Sequence, residues 1–282
     1  MIAKLEDINR CEVCLDEDCK GNHNCHCTTC KHLSECYKVL HATIRITNKC
    51  TQKCTHCCFS SHPNSNIMMS TDNAKNIAIF LENNNVVSIN LMGGEFFCNT
   101  EWFEIINIFI NSVNYIRIVS NGDWYNNIDV KEKILKLNEK YKSRFRISIS
   151  NDSYHTNKYT TDVEKWLKDN NVDYNIGTED DMKEEAIIPI GRGEMYYSIY
   201  SSLSCYCHNP SKKYSFLIDE IGNIYKCGFG VWQYANIYQY LNGGFASRFK
   251  EFNKKFYDIF LPSCTACIRA AAHKDNNIVS ND

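Results

Sequence analysis

Between residues 42 and 190 the chain alternates short runs of period-two hydrophobicity with longer runs at helical spacing. Ala42 to Thr47 (ATIRIT) alternates apolar and polar positions and is rich in β-branched residues, which predicts a strand. Ser70 can cap a helix that carries Ala74, Ile77, Ala78 and Leu81 on one face. Val87 to Met92 reads as the next strand and ends at Gly93-Gly94. Glu101 to Val113 predicts a helix with Phe103, Ile106 and Ile110 on one face. Tyr115 to Val119 follows as a strand that ends in Ser120-Asn121-Gly122. Val130, Ile134, Leu137 and Tyr141 mark a helix over Asp129 to Tyr141. Strands at Phe145 to Ser150, Val172 to Ile176 and Ala186 to Ile190, and a short helix over Asp162 to Asp169, complete the pattern.

Six strands separated by helices predict a parallel sheet, because parallel neighbours need crossover connections. Six units fall short of a closed eight-stranded barrel, so the expectation is an α/β partial (β/α)6 barrel, open on one flank. Phe216 to Cys227 reads differently, as a hairpin with its turn at Glu220 to Asn223. Boundaries near Leu40 and Tyr200 divide the chain into a cysteine-rich extension (1–40), the barrel (41–200) and a small carboxyl-terminal domain (201–282).

Composition narrows the class. Hydrophobic residues make up 44% and charged residues 23%, ordinary for a globular protein. Lys+Arg 31 against Asp+Glu 33 leaves a net charge of -2, which offers no electrostatic footprint for nucleic acid. No apolar stretch is long enough for a membrane helix, and the first ten residues lack the apolar core of a signal peptide. The expectation is a cytoplasmic protein with no membrane association. Cysteine changes the picture: there are 17, an odd number, unevenly placed. Clustered thiols in a reducing compartment point to metal ligation rather than to disulfides.

The first strand runs into Cys50-Thr-Gln-Lys-Cys54-Thr-His-Cys57, three thiols spaced CxxxCxxC. Such a loop can hold three irons of a 4Fe–4S cluster and leave the fourth iron open, with zinc as the alternative occupant. After the second strand comes Gly93-Gly94-Glu95, where glycines permit close backbone approach and Glu95 can accept from an ammonium group. The cysteine loop after strand one, the GGE after strand two and the partial barrel together resemble the radical S-adenosylmethionine superfamily. The resemblance covers about residues 42 to 200. It implies that the open iron chelates S-adenosylmethionine, whose one-electron reductive cleavage gives a 5′-deoxyadenosyl radical that abstracts hydrogen from a substrate. It also implies a site near the adenine for His56, contacts to the methionyl amino group from Gly93, Gly94 and Glu95, and polar cofactor contacts from Asn121 and Ser150. Ile190-Gly191-Arg192-Gly193 is similar to the family's late-strand element, in which Arg192 would reach the carboxylate.

Two further cysteine groups flank this core. Cys207, Cys227 on the hairpin and the pair Cys264 and Cys267 can close four corners of a cubane, with Cys205 as a substitute for Cys207. This group resembles the SPASM and twitch auxiliary-cluster domains, the shorter twitch form fitting better because no cysteine follows Cys267. At the amino end, Cys25, Cys27, Cys30 and Cys36 among seven closely spaced cysteines suit a second auxiliary cluster or, with His23, His26 and His32 interleaved, zinc. Cys98, three residues past Glu95, and Cys205 are the candidates for a hydrogen-donor or substrate-facing thiol.

The resemblance implies a radical enzyme that uses S-adenosylmethionine, a 4Fe–4S cluster and at least one auxiliary cluster, fed by a flavodoxin- or ferredoxin-type donor. Its first expected activity is modification of a ribosomally made peptide by crosslinking or dehydrogenation. A twitch-type small-molecule dehydrogenase and a peptide epimerase are alternative enzymes. A non-catalytic iron–sulfur or zinc electron carrier is the alternative from another class, though a carrier has no need of the GGE site.

Overall fold

The computed structural model describes residues 40–156, 158–177, 192, 215–226, 233–249 and 251. The strands are β1 (Leu40–Arg45), β2 (Val86–Met92), β3 (Tyr115–Ser120), β4 (Phe145–Ser150), β5 (Tyr174–Gly177), β6 (Ser215–Ile218), β7 (Asn223–Tyr225) and β8 (Gln233–Asn236). The helices between them are α1 (Thr71–Asn83), α2 (Trp102–Phe109), α3 (Ile128–Tyr141) and α4 (Thr160–Asp169). One sheet holds all eight strands in the order β5-β4-β3-β2-β1-β6-β7-β8. The pairs from β5 through β1 to β6 are parallel, and β6-β7-β8 is an antiparallel meander.

The local reasons are visible at each element. Ser70 caps α1 by accepting from the Asn73 N–H, which satisfies one of the unpaired donors at a helix start. Asn127 does the same for α3 by accepting from Val130. In α2 the buried stripe is Trp102, Ile105, Ile106 and Phe109, spaced i, i+3, i+4, i+7. Of the three residues expected on one face, Ile106 and Ile110 are buried, and Phe103 lies on the rim, half-buried, with the Lys133 ammonium 5.9 Å from its ring centroid. The helix also ends four residues early, at Phe109.

On one face of the sheet Ala42, Ile44, Ile89, Leu91, Ile116, Ile118, Ile147 and Phe216 join the helices' apolar stripes in a single buried core. Several alternate positions are polar and bond to one another. The His41 Nδ1 and Ser88 Oγ atoms are 2.6 Å apart, Arg117 donates to Ser148 at 2.6 Å, and Ser148 is bonded to Asn175. A strand buried on both sides by apolar packing would read as a continuous hydrophobic run. These strands have one apolar face that packs and one face rich in hydrogen-bonded polar side chains.

The hairpin expected over Phe216 to Cys227 forms as β6 and β7, but it is not apart from the barrel. β6 pairs with β1, aligning Ala42 with Phe216 and Ile44 with Ile218. Phe216, Phe245 and Phe249 pack with Phe80 of α1, ring centroids 4.9–6.2 Å apart. The sixth parallel strand among the described residues is therefore β6, beside β1, whereas the strand expected at 186–190 lies outside the described residues. So do the amino-terminal cysteines, Cys205, Cys207, Cys227, Cys264 and Cys267.

Candidate functional site

At the carboxyl end of β1 the chain leaves the sheet through Ile46 and Thr47, both buried, and turns into the cysteine loop. Backbone bonds hold the loop on three sides. The Cys50 N–H donates to the His62 carbonyl at 3.2 Å, Gly94 donates to Thr47 at 2.8 Å and Glu95 to Lys49 at 2.8 Å. The glycines of the GGE stretch are explained by this crossing. A Cβ on Gly94 would come within 2.5 Å of the Lys49 carbonyl oxygen, 2.7 Å of Ser61 Cβ and 2.8 Å of Cys50 Cβ. On Gly93 it would meet Thr47 at 2.7 Å. Any side chain there would push the cysteine loop off the sheet.

Glu95 turns inward. It is 2% exposed and accepts from Phe97 N–H at 3.2 Å, the Ser120 hydroxyl at 2.8 Å and Asn121 N–H at 2.7 Å. Burial pushes its carboxyl up to about 7, against the opposing pull of those three hydrogen bonds. Its described acceptor work is thus to tie the end of β2 to the end of β3. Ser120 in turn accepts from Gly122 N–H and the Trp124 indole, each at 3.0 Å, which fixes the turn where Gly122 has a φ of 82°.

Asn121 reaches the cysteine loop itself. Its Nδ2 donates to Thr51 Oγ1 at 3.0 Å and lies 3.8 Å from Cys50 Sγ, while its Oδ1 accepts from the Asp123 N–H. Gln52, which the sequence reading passed over, is the hub on the other side. It is 7% exposed; its backbone N–H donates to Cys50 Sγ at 3.4 Å, and its amide donates to Asp123 and Thr156. Its Oε1 accepts from Thr156 N–H and from the Cys54 thiol. The loops after β1, β3 and β4 are therefore stitched together through one glutamine. The signal was present: Gln52, Asp123 and Thr156 all follow strand ends, where parallel sheets assemble their sites.

His56 sits between the cysteine loop and the loop after β4, with ring contacts to Tyr154 at 4.9 Å and His155 at 5.0 Å. Burial, then the neighbouring His155, holds its imidazole below the ordinary value. His56, Asp152 and His155 bring three ligating atoms within 4.8 Å of one another. Asp152 is already occupied by Tyr154 N–H, His155 N–H and the His155 ring, so this group closes on itself as a clamp. Arg192 donates from Nε to the Cys54 carbonyl at 2.7 Å and from its backbone N–H to Cys57. Ser150 lies at the end of β4 opposite Gly177, apart from these contacts. Cys98 ends the short 3-10 helix after Glu95, and burial pushes its thiol up to about 11.

Cys50, Cys54 and Cys57 are free thiols on one loop, the donor type that iron–sulfur clusters take. Burial raises Cys50 to about 12 and Cys54 to about 11, so without metal both stay protonated, and a bound cation would displace the protons. Beside them two buried polar atoms, His56 Nδ1 and a terminal nitrogen of Arg192, have no hydrogen-bond partner among the described residues. An anionic group on the loop would supply one. A cleft of about 660 Å³ opens there, lined in part by Gln52, Cys54, Asp123, Tyr154 and Lys158.

Residues 44–176 match the model of the radical SAM superfamily. That stretch, just under half of the chain, is similar to the radical SAM superfamily. Two curated proteins of Bacillus subtilis (strain 168) are similar to it. Over 131 residues the chain is 28% identical to the antilisterial bacteriocin subtilosin biosynthesis protein AlbA, covering 46% of this chain and 28% of AlbA. Over 116 residues it is 29% identical to the putative peptide biosynthesis protein YydG, covering 40% of this chain and 36% of YydG. The chain thus spans about a third of the length of the curated relatives it matches. Among solved structures, BtrN in complex with AdoMet and 2-DOIA superposes with a TM-score of 0.54 at 14% identity, over 77% of this chain and 87% of BtrN. That likeness shows the fold. Contacts among the described residues bring Cys50, Cys54, Cys57, Asn121 and Arg192 together at the carboxyl edge of the sheet, with Gly93 and Gly94 packed against the cysteine loop.

Proposed function

We propose that this chain is a radical SAM enzyme that modifies a ribosomally made peptide, by crosslinking or dehydrogenation. The observation that carries it is the three-thiol loop pinned over Gly93-Gly94 at the carboxyl end of a parallel sheet. The peptide substrate rests on the two Bacillus relatives, whose names place them in peptide biosynthesis.

In this reading Cys50, Cys54 and Cys57 would hold a 4Fe–4S cluster, and the chemistry it would supply is one-electron reductive cleavage of S-adenosylmethionine. Gln52 and Asn121 fix the loop that presents the thiols. Arg192 would offer its unpaired nitrogen to the cofactor's carboxylate, and His56 would form one wall. The backbone of Gly93-Gly94-Glu95 would hold the amino group, while the Glu95 side chain keeps the ends of β2 and β3 tied. Cys207, Cys227, Cys264 and Cys267 would carry an auxiliary cluster that accepts an electron, with Cys205 in reserve. Cys25, Cys27, Cys30 and Cys36 would carry a second auxiliary cluster. A flavodoxin- or ferredoxin-type donor in the cytoplasm would reduce the first cluster. No helix among the described residues is long and apolar enough to cross a membrane.

The test is the combined replacement of Cys50, Cys54 and Cys57 by Ala, assayed anaerobically with dithionite. The expected result is loss of 5′-deoxyadenosine formation and of about four irons per chain. Undiminished cleavage would remove the proposal. Mass spectrometry of a peptide encoded beside the gene, with and without co-expression, tests the substrate class.

A further inference from the structure

We infer that Asn121 sets the reduction potential of the cluster on the cysteine loop, through a hydrogen bond to the sulfur of Cys50. The inference rests on the proposed cluster and assigns Asn121 to the iron site rather than to S-adenosylmethionine. Cys50 is the most enclosed of the three loop cysteines, 8% exposed, and two N–H groups converge on its sulfur. One belongs to the Gln52 backbone at 3.4 Å and the other to Asn121 Nδ2 at 3.8 Å. Cys54 is different: its sulfur faces an acceptor, the Gln52 carbonyl oxygen, at 3.4 Å. Among the described residues the donors are therefore concentrated on one of the three loop sulfurs.

Asn121 has little freedom to do otherwise. It is 7% exposed, its backbone N–H is held by Glu95, and its Oδ1 is held by the Asp123 N–H. That last bond fixes the amide orientation and leaves only Nδ2 toward Thr51 and Cys50. When iron replaces the Cys50 proton, the sulfur becomes a better acceptor and the N–H···S bond strengthens. Donors to a ligating sulfur stabilise the reduced, more negative state, so they raise the potential. Asn121 is thus a positioning residue that acts through Cys50 and makes the first one-electron reduction easier.

The experiment is an anaerobic redox titration of the reconstituted full chain, followed by EPR. It reads the signal that changes when S-adenosylmethionine is added, which separates this cluster from any other. Asn121→Leu should shift that midpoint to more negative potential, with S-adenosylmethionine affinity unchanged. The isosteric Asn121→Asp keeps the acceptor for Asp123 N–H and loses the donor. It should shift the midpoint in the same direction, and it gives the answer if the Leu variant fails to load iron. Asn121→Gln, which retains an amide donor, should recover part of the shift. An unchanged midpoint with weaker S-adenosylmethionine binding would overturn the inference and return Asn121 to the cofactor. A chain with no S-adenosylmethionine-responsive signal before any substitution would instead overturn the functional proposal itself.

Discussion

A single hydrogen atom separates a working cysteine loop from a displaced one at Gly94. The space a Cβ would need is filled on three sides by Lys49, Ser61 and Cys50, two of them members of the loop. Gly94→Ala should cost about 1–3 kcal/mol in the metal-free chain, since backbone rather than a flexible side chain must give way. Iron loading should fall further than stability does, because Cys50 is the atom pushed. Denaturant unfolding and iron analysis of the same preparation check both. The cysteine spacing and the GGE were legible from sequence because each is a local pattern whose residue types have few other uses. Glu95 stood out in the sequence, but its contacts did not. Its three donors come from Phe97, Ser120 and Asn121, and no one-dimensional pattern reveals that β3 ends within reach of β2. Gln52 was invisible for the same reason, its partners being 71 and 104 residues away.

Among elements, the turn between β6 and β7 is joined to β1 by a pair of charges. Arg45 donates from Nε and a terminal nitrogen to the two oxygens of Glu220, both at 2.9 Å, with Glu220 2% exposed. Burial raises the Glu220 carboxyl above its ordinary value, and the Arg45 hydrogen bond and charge pull it back only in part. An acid whose folded value exceeds its unfolded one contributes stability fully below the unfolded value, 4.5, and loses it as pH rises through the folded one. Ionised Glu220 is therefore a cost that Arg45 limits. Glu220→Gln should change stability by less than about 1 kcal/mol at neutral pH and flatten its pH slope above 4.5. Glu220→Ala, which strands the guanidinium, should cost about 3–5 kcal/mol. Urea unfolding at two pH values on either side of neutrality distinguishes them. The helices were readable from their apolar spacing and caps, and α2 was overextended because Ile110 and Val113 continue the pattern after the helix has ended.

At the scale of the molecule the barrel and the hairpin share one sheet. The boundary expected near Tyr200, before the second cysteine group, suggested a separate domain, but Phe216, Phe245 and Phe249 complete the core around Phe80. A chain ended at residue 200 should therefore lose the protection of β1 against hydrogen exchange and expose Phe80 and Ala42, instead of leaving a stable barrel. Slow exchange at Ala42 and Ile44 in that shortened chain would refute this. Sequence periodicity could identify β6 as a strand. It could not say which edge β6 joins, since pairing partners are set by long-range packing that a local pattern does not encode.

The position of β1 between β2 and β6 also has a consequence for biosynthesis. The strand that roots the cysteine loop is the first described element to leave the ribosome, and its second neighbour is made only after four helices and four more strands. Until Ser215 to Ile218 emerge, β1 has an unpaired edge, and the loop it carries is attached to an unfinished sheet. Iron delivered during translation would meet thiols whose anchoring strand is still half-paired. The topology favours metal insertion after chain release, on a framework that is already closed.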